Sequence, residues 1–232
     1  MKTTFWTELF DLIAPRPCVI CGGRLTAGEQ VICGPCHMHL PLTRYEQSAY
    51  DNPMARLFWG QFPVERAAAL FFYEPQSPTS RLVYDMKYHG RPEVAVAMGQ
   101  IMARQMGGSD FFSHIDAIIP IPLTWRRQWQ RGYNQSAELA QGLSSICGLP
   151  VWTKVVTRTR FSQSQTHQHA WERQQNVSDA FRLRDAGRIA HKHVLLVDDI
   201  VTTGATITAC ARTLAEAPGV HISVLSLGLT KS

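Results

Sequence analysis

Beyond about residue 65, short apolar runs alternate with segments whose apolar side chains recur every three to four positions. Ala67-Ala68-Ala69-Leu70-Phe71-Phe72-Tyr73 reads as a first strand. Ser77-Pro78 starts a helix with Leu82, Val83 and Met86 on one face, and Pro92 opens another with Val94, Met98, Ile101 and Met102 turned inward. Ile115 to Ile119 is the next strand, closed by Pro120-Ile121-Pro122-Leu123, and Gly132-Tyr133-Asn134-Gln135 opens a helix through Leu139, Leu143 and Ile146. Val155-Val156 begins a strand left at Arg158, with Phe181 and Leu183 marking a short one on the return. Val194-Leu195-Leu196-Val197 has no polar interruption, as in a strand buried on both faces of a parallel sheet. Ile207, Cys210 and Leu214 follow at helical spacing, and His221 to Leu229 alternates as a final strand. Such alternation predicts an α/β domain, a mainly parallel sheet flanked by helices.

The pattern changes before residue 65. Phe5, Trp6, Leu9, Phe10 and Ile13 lie on one face of a helix over 4–14, capped by Thr3 or Thr4 and ended by Pro15 and Pro17. Its polar face carries Glu8 and Asp11, which suits docking on the protein body better than on a membrane surface. Residues 41–64 have weak periodicity and the breakers Pro41, Asp51-Asn52-Pro53 and Pro63, the marks of a linker. Three parts result: 1–40, a linker over 41–64, and a main domain over 65–232. Within that domain the run 158–176 is polar and too long for an idle connection, so it is a functional lid or a disordered excursion.

An apolar content of 45% against 18% charged residues excludes a disordered chain. No apolar run approaches the roughly 18–20 residues that span a bilayer. The acids at 8 and 11 also interrupt any signal-peptide core, so the expected location is the cytoplasm, without membrane insertion. A net charge of +5 is compatible with polyanionic partners but does not identify one.

The chemistry concentrates where the fully apolar strand ends. Asp198 and Asp199 are followed by Ile200-Val201-Thr202-Thr203-Gly204-Ala205-Thr206, which opens the next helix. Unpaired N–H groups and the macrodipole at such a helix start favour an anion, and a phosphate fits. Thr202, Thr203 and Thr206 add hydroxyl donors; Gly204 is expected to let the backbone close on the phosphate without a Cβ in the way. Two carboxylates beside a phosphate need an intermediary. Vicinal sugar hydroxyls or a divalent metal would serve, and a phosphorylated ribose carrying Mg²⁺ satisfies every group.

A second constellation is Cys18-x2-Cys21-x11-Cys33-x2-Cys36. Four thiolates at this spacing in a cytosolic chain favour structural zinc over disulfides. A redox dithiol would need one Cys-x-x-Cys in a thioredoxin-like context, which is absent. Gly22 and Gly34 are expected in knuckle turns that aim N–H groups at sulfur, with His37 and His39 adjacent and exposed. Cys147 and Cys210 read as small buried apolar residues.

The stretch Trp125-Arg126-Arg127-Gln128-Trp129-Gln130-Arg131 has two readings. Trp125 and Trp129, four apart, are expected as the buried face of one helical turn. The alternative is an exposed surface of Trp125, Arg126, Arg127 and Trp129 that stacks bases and follows the phosphates of single-stranded DNA.

The thirteen residues Val194–Thr206 resemble the phosphoribosyl-diphosphate (PRPP) signature of type I phosphoribosyltransferases at every position. With the cysteine quartet, Lys87-Tyr88-His89-Gly90, Ile119-Pro120-Ile121-Pro122-Leu123, Arg131-Gly132-Tyr133-Asn134-Gln135 and the Arg158…Gln165…Arg173…Asn176 run, nearly the whole chain resembles the ComF/GntX family. That family joins a four-cysteine zinc element to a type I phosphoribosyltransferase-like domain and is associated with natural competence and the use of incoming DNA. The resemblance implies that Thr202, Thr203, Gly204, Ala205 and Thr206 hold the 5-phosphate and that Asp198 and Asp199 hold the ribose hydroxyls. Pro120, Ile121 and Pro122 would meet the diphosphate, carried with Mg²⁺. Lys87 and Arg131, then Arg158 and Arg173 from the lid, would neutralise the leaving group. Three roles follow: an active phosphoribosyltransferase, a catalytically silent PRPP sensor, or a DNA-handling accessory working with DNA-uptake proteins.

Overall fold

The computed structural model describes residues 15–159 and 180–231. The helix expected over 4–14, the greater part of the 158–176 run, and Arg173 lie outside the described residues.

In chain order the elements are α1 (Gly34–Met38), α2 (Pro53–Arg56), β1 (Val64–Tyr73), α3 (Ser80–Tyr88), α4 (Pro92–Met106), β2 (Ala117–Pro120), α5 (Trp125–Arg131), α6 (Gln135–Cys147), β3 (Val156–Arg158), β4 (Phe181–Leu183), α7 (Ala186–Ile189), β5 (His193–Val201), α8 (Ala205–Leu214) and β6 (His221–Thr230). Four strands form one parallel sheet in the order β1-β6-β5-β2, while β3 and β4 pair antiparallel as a separate ribbon. Parallel neighbours require crossover connections, so helices cover both faces. This is why Val194–Val197 is uniformly apolar. Leu195 and Val197 pack with residues of α3, α4 and α6, whereas Val194 and Leu196 pack with those of α8 and α2. Among the described residues no helix is long and apolar enough to cross a membrane.

Two places depart from the sequence-based expectation. Of residues 41–64, expected as a linker, Val64 opens β1 and the rest carry segments packed against it. Leu42 bridges Phe71, the Thr43 hydroxyl donates to the Ala69 carbonyl, and Asn52 caps α2 while donating to Ala67 O at 2.8 Å. Met54, Ala55 and Phe58 are at most 1% exposed. Single turns held by side-chain caps leave no periodicity to read. Ile146, expected inside, is exposed, and Cys147 is only half-buried; Cys210 is fully buried as expected.

The contact between α4 and α6 is close because Gly99 and Gly142 face each other. A Cβ built on Gly142 would lie 2.0 Å from the Val96 carbonyl oxygen. This close approach seats the N-terminus of α6, and with it Ser136, beside the end of β5.

Candidate active-site edge and cysteine knuckle

The sheet register sets the site. Val197 pairs with Pro120 on one side and Leu225 on the other, so the 120–122 turn and the acid pair emerge together at the carboxyl edge. Ligands of open α/β sheets bind at this edge. Asp198 Oδ1 accepts hydrogen bonds from Ser136 Oγ at 3.0 Å and from the Asp199 amide at 2.9 Å. Asp199 accepts from the Ile200 amide at 2.6 Å, and its Oδ2 pairs with Lys87 Nζ at 3.0 Å. Asp198 is half-buried. That burial, reinforced by the Asp199 charge, pushes its pKa up to about 7 against the pull of its hydrogen bonds and of Lys87.

Asp198 and residues 200–207 line a small cavity of about 50 Å³ at the start of α8. Thr202 and Thr203 are exposed and Thr206 half-buried, so the hydroxyls and the first helical N–H groups stand at an accessible rim. The fold adds a reason of its own for Gly204. Its φ is +75°, and a Cβ there would strike the buried ring of Phe58 at 2.8 Å rather than obstruct the cavity. The glycine therefore serves the turn and the packing beneath it.

Arg131-Gly132-Tyr133-Asn134-Gln135 ties α3 to the 120–122 turn. Tyr133 Oη and Gln135 Nε2 both donate to the Met86 carbonyl, fixing the backbone next to Lys87. Asn134 caps α6 at the Ser136 amide and donates to Ile121 O at 3.0 Å, while the Ile121 amide donates to Val197 O. Arg131 donates to Gln135 Oε1 at 2.8 Å and lies 6.0 Å from the Tyr88 ring centre. The sequence marked this motif without showing that Tyr133, Gln135 and Ser136 are its anchors. Their partners lie 47–62 positions away.

Arg158 lies at the end of β3 over the Phe181 ring at 5.2 Å, and its buried Nε has no hydrogen-bond partner among the described residues. Burial and the Arg127 charge lower its pKa against the pull of Asp198. Trp125 and Trp129 are 66% and 76% exposed, contrary to the buried face expected from their spacing. Spacing of four puts two side chains on one face of α5, but no residue of that helix is buried.

The four cysteines converge. The Sγ atoms of Cys18, Cys21, Cys33 and Cys36 all lie within 4.8 Å of one another, with 3.7 Å between Cys21 and Cys33, and none is in a disulfide. Sulfurs about 2.3 Å from one tetrahedral ion would be separated by about that distance, so the donor set fits zinc. The expected knuckle donors need correction. Gly23 and Cys33 aim their N–H groups at the sulfurs of Cys21 and Cys18, both at 3.4 Å. Gly22 instead donates to Cys18 O, and Gly34 to Glu29 Oε1. His37 and His39 are exposed and outside the cluster.

The acid pair offers a divalent ion less. Among the described residues no third Asp, Glu, His or Cys joins it. An ion seated there would need most of its ligands from a phosphorylated substrate and water, the habit of Mg²⁺.

Residues 100–226 match the phosphoribosyl transferase domain family, a span that holds the 120–122 turn, Arg131, the acid pair and the Thr-Gly loop. The DNA utilization protein YhgH of Shigella flexneri is 33% identical over 208 residues, covering 85% of this chain and 83% of that protein. Competence protein F of Haemophilus influenzae is 37% identical over 113 residues, 48% of this chain and 49% of that protein. The solved glutamine PRPP amidotransferase of B. subtilis aligns at 20% identity with a TM-score of 0.41, over 60% of this chain and 30% of that one. With the cysteine quartet and the phosphoribosyl transferase span in one chain, the protein belongs to the ComF/GntX family.

Proposed function

We propose that the chain binds PRPP with Mg²⁺ at the carboxyl edge of β5 and transfers its phosphoribosyl group, as a cytoplasmic protein in the uptake or use of extracellular DNA. The observation that carries this reading is the acid pair at the end of a buried strand, followed at once by the accessible Thr-Gly loop and the start of α8. The names of the relatives support the DNA context. Thr202 to Thr206 hold the 5-phosphate, and Asp198 and Asp199 accept from the ribose hydroxyls. The turn fixed by Val197 and Asn134 presents its backbone to the diphosphate. Displacement of diphosphate develops positive charge on the sugar and negative charge on the leaving group, so the work of the chain is positioning and charge neutralisation. Mg²⁺ carried by the diphosphate would offset the negative charge of the leaving group. Lys87, held at Asp199, neutralises that charge together with Arg131 and Arg158. The cysteine quartet holds one structural zinc.

Calorimetry with PRPP and Mg²⁺ tests the binding. At a hundredfold excess over Kd the ligand adds about 2.7 kcal/mol of stability. That raises the melting temperature of a chain this size by roughly 5–11 °C. No heat and no thermal shift at millimolar PRPP would refute the reading.

The exposed tryptophans favour a second activity at the same edge. Trp125 and Trp129 flank Arg126 and Arg127 on a helix with no buried side chain, an arrangement suited to stacking and phosphate contact with single-stranded DNA. Arg126→Ala/Arg127→Ala is expected to weaken retention of labelled single-stranded DNA about tenfold at low salt and to flatten its salt dependence. Absence of retention by the wild-type chain at low salt would remove this activity.

A further inference from the structure

Tyr84 and Tyr88, one turn apart on α3, take no part in the chemistry described so far. Both are more than half exposed, with ring centres 4.8 Å apart and planes tilted by 44°. His89 meets the Tyr84 ring edge-on at 5.1 Å. Exposed rings contribute little burial to a fold, but they offer faces on which flat groups stack. This patch continues the surface of α5. The guanidinium of Arg131, the last residue of α5, lies 6.0 Å from the Tyr88 ring centre, and the exposed Trp129 stands two residues before it. The junction is fixed, since Tyr133 and Gln135 both donate to the Met86 carbonyl and Arg131 donates to Gln135.

Rings and cations therefore follow one another from Trp129 through Arg131 to Tyr88, Tyr84 and His89. The neighbouring acids oppose an anionic strand little. Asp85 pairs with His89 and Arg91 at 2.9 Å each, and Glu93 pairs with Arg91 at 2.8 Å. The same track passes the ribose site. Lys87 lines a groove of about 610 Å³ together with Tyr84 and Tyr88, and it pairs with Asp199 at 3.0 Å. Lys87 and Arg131 are also the cations assigned above to the diphosphate. A nucleic-acid phosphate held between Trp129 and Tyr88 would engage Arg131 and stand beside Lys87, so a strand and a diphosphate would draw on the same two charges.

We propose that single-stranded DNA runs from α5 across Arg131 onto Tyr88 and Tyr84, and that the strand and PRPP exclude each other there. The inference rests on both readings above, PRPP at the acid pair and single-stranded DNA on α5. Bases stack on the rings while the backbone follows the cations. PRPP with its Mg²⁺ takes Arg131 and Lys87 for the diphosphate and releases the strand. A bound strand weakens PRPP by the same factor, because the coupling of two ligands on one chain is reciprocal. The α3 tyrosines act on the strand alone, since neither is a partner of the acid pair or of the Thr-Gly loop.

The test follows the anisotropy of a labelled oligothymidylate of about twenty nucleotides on the full chain, with Mg²⁺ and ionic strength held constant. Saturating PRPP is expected to weaken the strand about tenfold or more, and the strand to weaken PRPP equally in calorimetry. In Asp198→Asn the same PRPP concentration should leave the strand in place, which separates occupancy of the site from screening by a polyanion. Tyr84→Ala/Tyr88→Ala should weaken the strand about tenfold and leave PRPP affinity and melting temperature unchanged, and Tyr84→Phe/Tyr88→Phe should restore the strand. A chain that binds both ligands independently, or binds the strand more tightly with PRPP, would overturn the exclusion. Strand affinity indifferent to the alanine pair would overturn the path over α3. PRPP binding without any strand binding would remove the DNA reading and this inference but leave the PRPP reading standing. Strand binding without PRPP binding would remove the PRPP reading and the exclusion but leave the DNA reading.

Discussion

Replacing Cys36 with alanine is expected to strip the metal and lower the melting temperature by about 8–16 °C. The reasoning begins with the size of the segment. Residues 15–40 contain only one short helix and a single antiparallel bridge, so turns rather than extended ladders hold their backbone. A zinc ion bound by four thiolates contributes folding energy directly. The loss does not stay local. Val19, Ile20, Leu25, Val31, Ile32 and Leu40 are buried in the same apolar cluster as Leu82, Val83 and Met98 of α3 and α4, so releasing the knuckle uncovers one face of the main sheet's helices. A cost of about 4 kcal/mol, moderate for a broken metal site, corresponds to that shift at roughly 2–4 °C per kcal/mol. Metal analysis should find one zinc per wild-type chain, and strong chelators should reproduce the lowered transition. A Cys36→Ala chain that melts at the wild-type temperature, with no zinc found in either protein, would refute the zinc assignment.

The knuckle and the Thr-Gly loop were legible because their information is local: fixed spacings of a few residue types within one stretch. The sheet was legible for the same reason, since Val194–Val197 and the helices at 92 and 135 carry their burial in short periodic patterns. What escaped is non-local. That Ser136 would donate to Asp198, or Tyr133 to Met86, depends on how α6 meets β5 and α3, and that in turn depends on Gly99 and Gly142 approaching without side chains. The stretch 41–63 hid its order because each turn is fixed by one polar side chain, such as Asn52 or Thr43, rather than by an apolar stripe. The tryptophans of α5 show the limit of periodicity. It states that Trp125 and Trp129 share a face, but not whether anything covers that face. Gly204 carries a packing demand that local sequence does not show, since its neighbour Phe58 lies 146 positions earlier and only the fold brings them together.

Asp198→Asn is expected to have two effects of opposite sign: PRPP affinity falls about a hundredfold while the ligand-free protein becomes more stable above neutral pH. Asparagine preserves the Oδ1 position, so the bonds from Ser136 Oγ and the Asp199 amide survive and the local structure holds. What is lost is a charged acceptor for the ribose hydroxyls. Two such bonds at about 1.5 kcal/mol each give roughly 3 kcal/mol, or two powers of ten in Kd. The stability effect follows from the pKa. Burial and the Asp199 charge raise it to about 7 in the folded chain, with Lys87 and Ser136 opposing, against about 4 when unfolded. Between those values the folded state keeps a proton that the unfolded state has released. The stabilisation from this group is therefore complete below about pH 4 and is lost as the pH rises through about 7. Asparagine cannot ionise, so the variant should melt higher than wild type at pH 8, with the gap closing toward pH 5. Ligand binding runs the other way. Sugar hydroxyls donate to the ionised carboxylate, so wild-type affinity should rise with pH up to about neutrality by as much as about tenfold per unit. The phosphates of PRPP titrate in the same range but affect both proteins equally, so the difference between the two pH profiles isolates Asp198. If the variant binds PRPP as tightly as wild type at pH 8, Asp198 does not face the sugar, and the acid pair is a structural feature of the strand end alone.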